Sequence, residues 1–333
     1  MKSRNMGSNG PVVSALGIGA MSFAEFYGPT TQENSYAILA AALDAGVSHI
    51  DTSNVYGMGR SERAIGQFLR DNPGTRERFH IATKASTTVD DQGNRCFRNT
   101  LDHLESELDK SLQKLGIECV DLFYIHRRQA ELPIEEVAGN LKRLQDKGKT
   151  RGVGFSEIAP SSLRRAAVEC HIDAVQSEYS LGVRSPELGL VQTCAELGTA
   201  LVAFSPVGRS FLTDTPMTLS TVSDIGGFVA GNPRFIEPNY SANIAATDGF
   251  RAYAAEIGVP AAALAIGWVL AQGEHVIAIP GTRSTAHFAE LVAGWNLQLS
   301  DEQLASIEKI LPIGWAHGDR YNAAQWVGPE RYC

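Results

Sequence analysis

The 333-residue chain is 44 % hydrophobic and 20 % charged, a composition that permits a large core and argues against disorder. Lys and Arg number 29 against 37 Asp and Glu, a net charge of −8 with no long basic run, so neither nucleic acid nor an anionic membrane is expected as the main partner. Five scattered cysteines (Cys96, Cys119, Cys170, Cys194, Cys333), with no CxxC and no zinc-finger Cys/His spacing, argue against a disulfide scaffold and against a structural metal. The polar start, Met1 to Pro11, has no signal-peptide core, and the longest apolar stretch, Val259–Ala271, is too short to span a bilayer. A cytoplasmic globular protein is expected.

In chain order, short apolar runs read as strands at Ala15–Ala20, Val47–Asp51, Phe79–Lys84, Val120–His126, Arg151–Ser156, Asp173–Gln176, Leu201–Ser205 and Val276–Pro280. Most are apolar on both faces, as parallel strands covered by helices are. Helical patterns separate them. Leu101, Leu104, Leu108, Leu112 and Leu115 form one stripe, with Asn99 or Thr100 to cap its start and Gly116 to end it. Ile134, Val137, Leu141 and Leu144 repeat the pattern before Gly148. Eight strand–helix units predict a closed (β/α)8 TIM barrel of the α/β class, one domain over 1–333. A doubly wound sheet is the runner-up, but Gly17-Ile18-Gly19 lacks the third glycine of a dinucleotide fingerprint and reads as tight backbone. A long loop, 206–240, follows the seventh strand. A tail, 312–333, carries Trp315, Tyr321, Trp326 and Tyr332 and is expected to pack on the body.

The strand ends carry the chemistry. Asp51, Lys84 and His126 each close a strand, and a barrel gathers those ends on one face. Tyr56 follows Asp51 closely enough to fold over the same rim. Singly, each has an ordinary role: a cap, a surface ion pair, a core histidine, a packing ring. Together they form a proton-delivery set. A lysine beside a tyrosine is expected to lower the phenol pKa, a carboxylate keeps the lysine charged, and a histidine donates to a substrate oxygen. Carbonyl reduction needs such a proton, and because no side chain supplies hydride, a nicotinamide cofactor is implied.

With these residues in view, the sequence resembles the aldo-keto reductase superfamily over nearly its whole length. The matching pieces are Leu16–Gly19, Asp51-Thr52 through Tyr56-Gly57, Ala82–Lys84, Asp121–Arg127, Gly148–Ser156, Gln176–Ser180, Phe204–Arg209 and Ile279–Ser284. In detail it looks most like the branch of pyridoxal-reductase-like and perakine-reductase-like enzymes. The resemblance implies an NADPH-dependent oxidoreductase that interconverts an aldehyde or ketone and its alcohol. Tyr56 would be the acid, Lys84 and Asp51 its modifiers, and His126 the orienting donor.

The resemblance also implies a cofactor site. Ser156 and Gln176 match residues that hold the carboxamide, and Phe204 offers a flat face where many members have a stacking tyrosine. Gly19, Met21, Asp51, Ser205, Pro206, Gly208 and Arg209 join that site, as do Pro280, Gly281, Thr282, Arg283, His287 and Glu290. Arg283 is expected at the ribose 2′-phosphate, with backbone N–H groups nearby for phosphate. His287 and Leu291 depart from the family pattern of arginine and asparagine, which leaves NADH open as an alternative cofactor. Glu157 replaces the superfamily's common asparagine. Arg127 and Arg128 are either substrate contacts or a solvated loop pair.

Two other readings follow from the same residues. One is a nicotinamide-binding sensor subunit of the same fold with slow turnover, although all four catalytic residue types are present. The other is a Schiff-base enzyme using Lys84, which the neighbouring Asp51 disfavours by keeping the lysine protonated.

Overall fold

The computed structural model describes residues 1–332, so Cys333 lies outside the described residues. Eight parallel strands follow one another in chain order: β1 (Ile18–Gly19), β2 (His49–Asp51), β3 (His80–Ala85), β4 (Val120–Ile125), β5 (Thr150–Ser156), β6 (Ala174–Glu178), β7 (Ala200–Phe204) and β8 (Val276–Ala278). Leu16 bridges Ala278 in parallel, and Gly17 N–H donates to the Ala278 carbonyl at 2.8 Å, which closes the sheet on itself. The fold is a (β/α)8 barrel and not a doubly wound sheet. Each strand lies inside its expected stretch or within two residues of it. The Gly17–Gly19 turn is tight backbone, as its spacing predicts: a Cβ on Gly19 would stand 2.6 Å from the Ile279 carbonyl oxygen.

Side chains alternate along a strand, and both faces are buried here for different reasons. In β4, Phe123 and Ile125 turn outward into the helix layer. Leu122 and Tyr124 turn inward, where they meet Ala82, Ala174, Val202 and Ile277. The room for the Tyr124 ring comes from Gly154 on β5, where a Cβ would stand 2.7 Å from the ring. In the outer layer the helix Leu101–Leu115 buries Leu104, Leu108, Leu112 and Leu115. Thr100 precedes it without a side-chain cap bond, and Gly116 ends it at φ 69°, returning its N–H to the Leu112 carbonyl at 2.8 Å. The apolar stretch near 259–271 forms the helix Ala261–Ala271, buried along almost its whole length. Among the described residues, no single helix is long and apolar enough to cross a membrane.

Three features differ from the sequence reading. The 206–240 segment is not an open loop. It holds helices at Leu219–Ile225 and Gly227–Ala230, with Phe211, Val222, Val229 and Phe235 in a small core of their own. Its Gly, Pro, Ser and Thr content masked apolar residues spaced too irregularly to read as a helix face. Two hairpins went unread because their strands are three residues long. Ser3–Asn5 pairs with Val12–Ser14 and places Met6 and Val13 in the barrel's inner cluster. Thr87–Val89 pairs with Arg95–Phe97 after β3, on the rim that carries the strand ends.

The tail packs on the body without regular structure. Trp315 Nε1 donates to the Leu181 carbonyl at 2.9 Å. Asn322 and Gln325 reach the carbonyls of Gly231 and Phe228, at 2.8 and 2.9 Å, and so fasten the tail to the segment after β7.

Candidate active site

The period of two decides which strand-end residues meet. Ala82 faces inward on β3, so Lys84 does too; Leu122 and Tyr124 face inward on β4, so His126 follows. By the same parity Gln176 and Glu178 on β6 follow Ala174, and Phe204 on β7 follows Val202. The barrel brings Asp51, Tyr56, Lys84 and His126 together. Lys84 Nζ is fully buried, donates to Asp51 Oδ1 and to the Thr52 carbonyl at 2.8 Å, and lies 3.4 Å from Tyr56 Oη. The Tyr56 ring stands edge-on to the His126 imidazole, with centroids 5.8 Å apart. Ser53 Oγ and His126 Nδ1 share a hydrogen bond of 3.1 Å.

Burial and charge act against each other at these groups. Burial alone would depress the Lys84 ammonium, but Asp51, with Tyr56 beside it, holds its pKa above the ordinary value. Burial raises the Tyr56 phenol, and the opposing charge of Lys84 does not fully offset it. The expectation of a lowered phenol pKa is therefore corrected. Desolvation of the phenolate outweighs its cation, and Tyr56 is a protonated phenol at neutral pH. Burial, then the charges of Arg127, Lys84 and Arg95, push His126 well below its usual range, so its imidazole is neutral.

A cavity of about 740 Å³ opens over this cluster. All the expected site residues line it except Lys84, which lies beneath Tyr56, and Gly208. Gly208 sits at φ 60° inside the turn after β7, facing Leu212. Four non-glycine residues near this rim (Glu157, Ser205, Arg209 and Ser210) also hold left-handed φ values of 50–85°. Such strain persists only where surrounding contacts enforce it.

Several side chains have partners the sequence did not suggest. Gln176 Nε2 donates to Asp51 Oδ2 at 2.8 Å, so its amide nitrogen is engaged within the protein. Ser156 Oγ accepts from Arg127 Nη1 at 3.1 Å. Arg209 is buried in a two-point pair with Glu178, at 3.2 and 2.9 Å, while its Nη1 has no partner. Arg283 Nη1 donates to the Pro29 carbonyl at 2.7 Å. Arg128 pairs with Glu330 of the tail, so it is neither a substrate contact nor a solvated loop residue. Glu157 pairs with Arg320, which also reaches Glu178 at 3.3 Å. The sequence reading missed Glu178, Arg320, Arg95 and Thr87. Glu178 was findable, as a charge at inward parity two residues beyond Gln176. Arg320 had no such signal, because its partners lie more than 140 residues away.

The comparisons with known proteins agree with this architecture. The Aldo/keto reductase family profile matches residues 15–312. Aldo-keto reductase yakc [NADP(+)] of Schizosaccharomyces pombe is 33 % identical over 323 residues, 96 % of this chain and 94 % of that protein. The glycerol dehydrogenase AKR11B4 from Gluconobacter oxydans superposes with a TM-score of 0.80 at 26 % identity, covering 93 % of this chain and 95 % of that one. The aldo-keto reductase AKR11C1 from Bacillus halodurans, in its holo form, shares the fold with a TM-score of 0.77 at 23 % identity, covering 98 % and 99 %. The chain belongs to the aldo/keto reductase family and is an oxidoreductase of carbonyl compounds.

Proposed function

We propose that this chain is an NADPH-dependent carbonyl reductase, interconverting an aldehyde or ketone and its alcohol with Tyr56 as proton donor. The observation that carries this reading is the unbroken chain from Asp51 through Lys84 to Tyr56 Oη at the cavity floor. The cofactor, when bound, supplies hydride. Tyr56 Oη gives its proton to the substrate oxygen. Lys84, kept charged by Asp51, stabilises the phenolate left behind. The neutral His126, held at Nδ1 by Ser53 Oγ, hydrogen-bonds the same oxygen through Nε2.

The cavity walls fit a dinucleotide phosphate. Arg209 Nη1 is a buried donor without an acceptor on a cavity-lining residue, as an anionic ligand would require. Arg283 and Ser284 stand at the start of the helix Thr285–Asn296, whose free N–H groups suit a phosphate. Phe204 presents a flat ring for nicotinamide. The S. pombe relative's name carries NADP(+), in line with this assignment. Phe26, Tyr27, Phe228 and Tyr321 line the mouth and favour a bulky or aromatic carbonyl. Glu157 after Ser156 supports a place in the pyridoxal- and perakine-reductase-like branch.

The test is a titration with NADPH and, separately, NADH, following quenching of the four tryptophans, then turnover of 4-nitrobenzaldehyde. Tight NADPH binding with turnover is expected. Preference for NADH would assign His287 and Leu291 a changed cofactor site. Binding without turnover would move the reading to a sensor subunit, and binding of neither would overturn it.

A further inference from the structure

Two guanidinium groups stand at the catalytic end of the cavity without a carboxylate partner. Arg127, next to His126 at the end of β4, donates from Nη1 to the His126 carbonyl at 2.6 Å and to Ser156 Oγ at 3.1 Å. Its Nε and Nη2 have no acceptor among the described residues. Arg95, on the hairpin after β3, lies over the Phe97 ring at 5.1 Å and makes no ion pair among the described residues. Both arginines line the cavity. The tail packs over Arg127 and the Phe97 ring that Arg95 covers: a Cβ on Gly328 would stand 2.7 Å from the Phe97 ring and 3.1 Å from the Arg127 side chain.

The nearby acids are already paired. Glu157 is close enough to sense Arg127, but its carboxylate is taken by Arg320. Asp51 is taken by Lys84 and Gln176. The other acids on the cavity wall, Asp214 and Glu290, follow β7 and β8, across the barrel from β3 and β4. Burial, then the charge of Arg127, lower the Arg95 pKa, so the two cations are near enough to repel each other, and an anion between them relieves that repulsion.

We propose that Arg95 and Arg127 receive an anionic group, a carboxylate or phosphate, on the carbonyl substrate whose oxygen lies between Tyr56 and His126. This rests on the reductase reading above and adds the substrate class. The planar guanidinium fork matches the oxygens of either group.

The test compares kcat/KM with NADPH for 4-formylbenzoate, for its neutral methyl ester and for 4-formylphenyl phosphate. One anion is expected to exceed the ester by about tenfold or more, and the better anion identifies the group. That ratio should fall toward one in Arg95→Gln, a change on an exposed hairpin, while NADPH Kd stays within about twofold. A ratio near one in the native chain, with the ester turned over, overturns the anion site and leaves the reductase reading standing. A parallel loss of NADPH affinity in Arg95→Gln overturns it by assigning the arginine to the cofactor. Failure to turn over any of the three aldehydes counts against the reductase reading. A titration of the protein with benzoate, with and without NADP+, then decides the anion site. Salt-sensitive binding weakened in Arg95→Gln supports it, and absence of binding overturns it.

Discussion

Gln176 and Asp51 meet across the barrel: Gln176 Nε2 donates to Asp51 Oδ2 at 2.8 Å, while Lys84 occupies Oδ1. The carboxylate is thus fixed at both oxygens and aims one of them at the buried ammonium. Asp51→Asn keeps the shape and removes the charge. Burial would then act on Lys84 unopposed by the carboxylate and lower its pKa. Carbonyl reduction is expected to fall by about 100-fold or more. The alkaline limb of the kcat/KM profile should move to lower pH, because Lys84 loses its proton sooner. An alkaline limb at the native position would show that Asp51 does not hold the charge.

Tyr56→Phe removes one hydroxyl from the cavity floor. Reduction is expected to fall by roughly 100- to 10,000-fold, with NADPH affinity within about twofold of native. Single-turnover kinetics and tryptophan quenching separate the two quantities. Native-like turnover would exclude Tyr56 as the acid.

Arg283→Ala is expected to weaken NADPH by about tenfold more than NADH, the scale of a lost charge-assisted contact to phosphate. The Arg283 guanidinium is already aimed by the Pro29 carbonyl at 2.7 Å, so the variant loses a placed group. Equal losses for the two cofactors would put the 2′-phosphate elsewhere.

The barrel was legible because its signals are local. Each strand is a short apolar run with a clear end, and a barrel gathers those ends on one face, which is why Asp51, Lys84 and His126 could be gathered from sequence. The ion pairs around the mouth were not legible. Arg320 reaches Glu157 and Glu178 from a segment with no periodicity, and Arg209 pairs with Glu178 from the segment after the next strand. The phenol pKa was misjudged for a related reason: sequence shows that a lysine is near Tyr56, but not how completely the ring is buried.

Arg320→Gln tests the tail's attachment. The native side chain is 9 % exposed and bridges two buried carboxylates; the variant would leave Glu178 with Arg209 and Glu157 with no paired cation among the described residues. Breaking a buried pair in this way costs about 3–5 kcal/mol. Urea unfolding should show a loss of that order, and native stability would mean that the tail is held by its aromatic contacts instead.

Acid stability is expected to depend on buried histidines, two of them far from the cavity. His49 and His80, at the opposite ends of β2 and β3 from Asp51 and Lys84, place their Nδ1 atoms 3.1 Å apart in a buried pair. Burial lowers the pKa of both, and the His49 charge lowers His80 further. Two imidazolium groups at that distance would repel, so one proton serves the contact and the pair is neutral in the fold. The unfolded chain binds protons near pH 6.5, and the folded chain does so only at lower pH. Between those values the unfolded state holds more protons, so stability falls as pH drops, by at most about 1.4 kcal/mol per pH unit for each histidine. The buried His126 adds to the same slope. Above about pH 7 the contribution is constant, and the carboxylates held low, Glu157 among them, lose theirs only below about pH 4.5. Urea midpoints should therefore be flat above about pH 7 and fall as pH drops below about 6.5, with a shallower fall in His80→Gln. An unchanged slope in that variant would assign the acid loss to groups other than this pair.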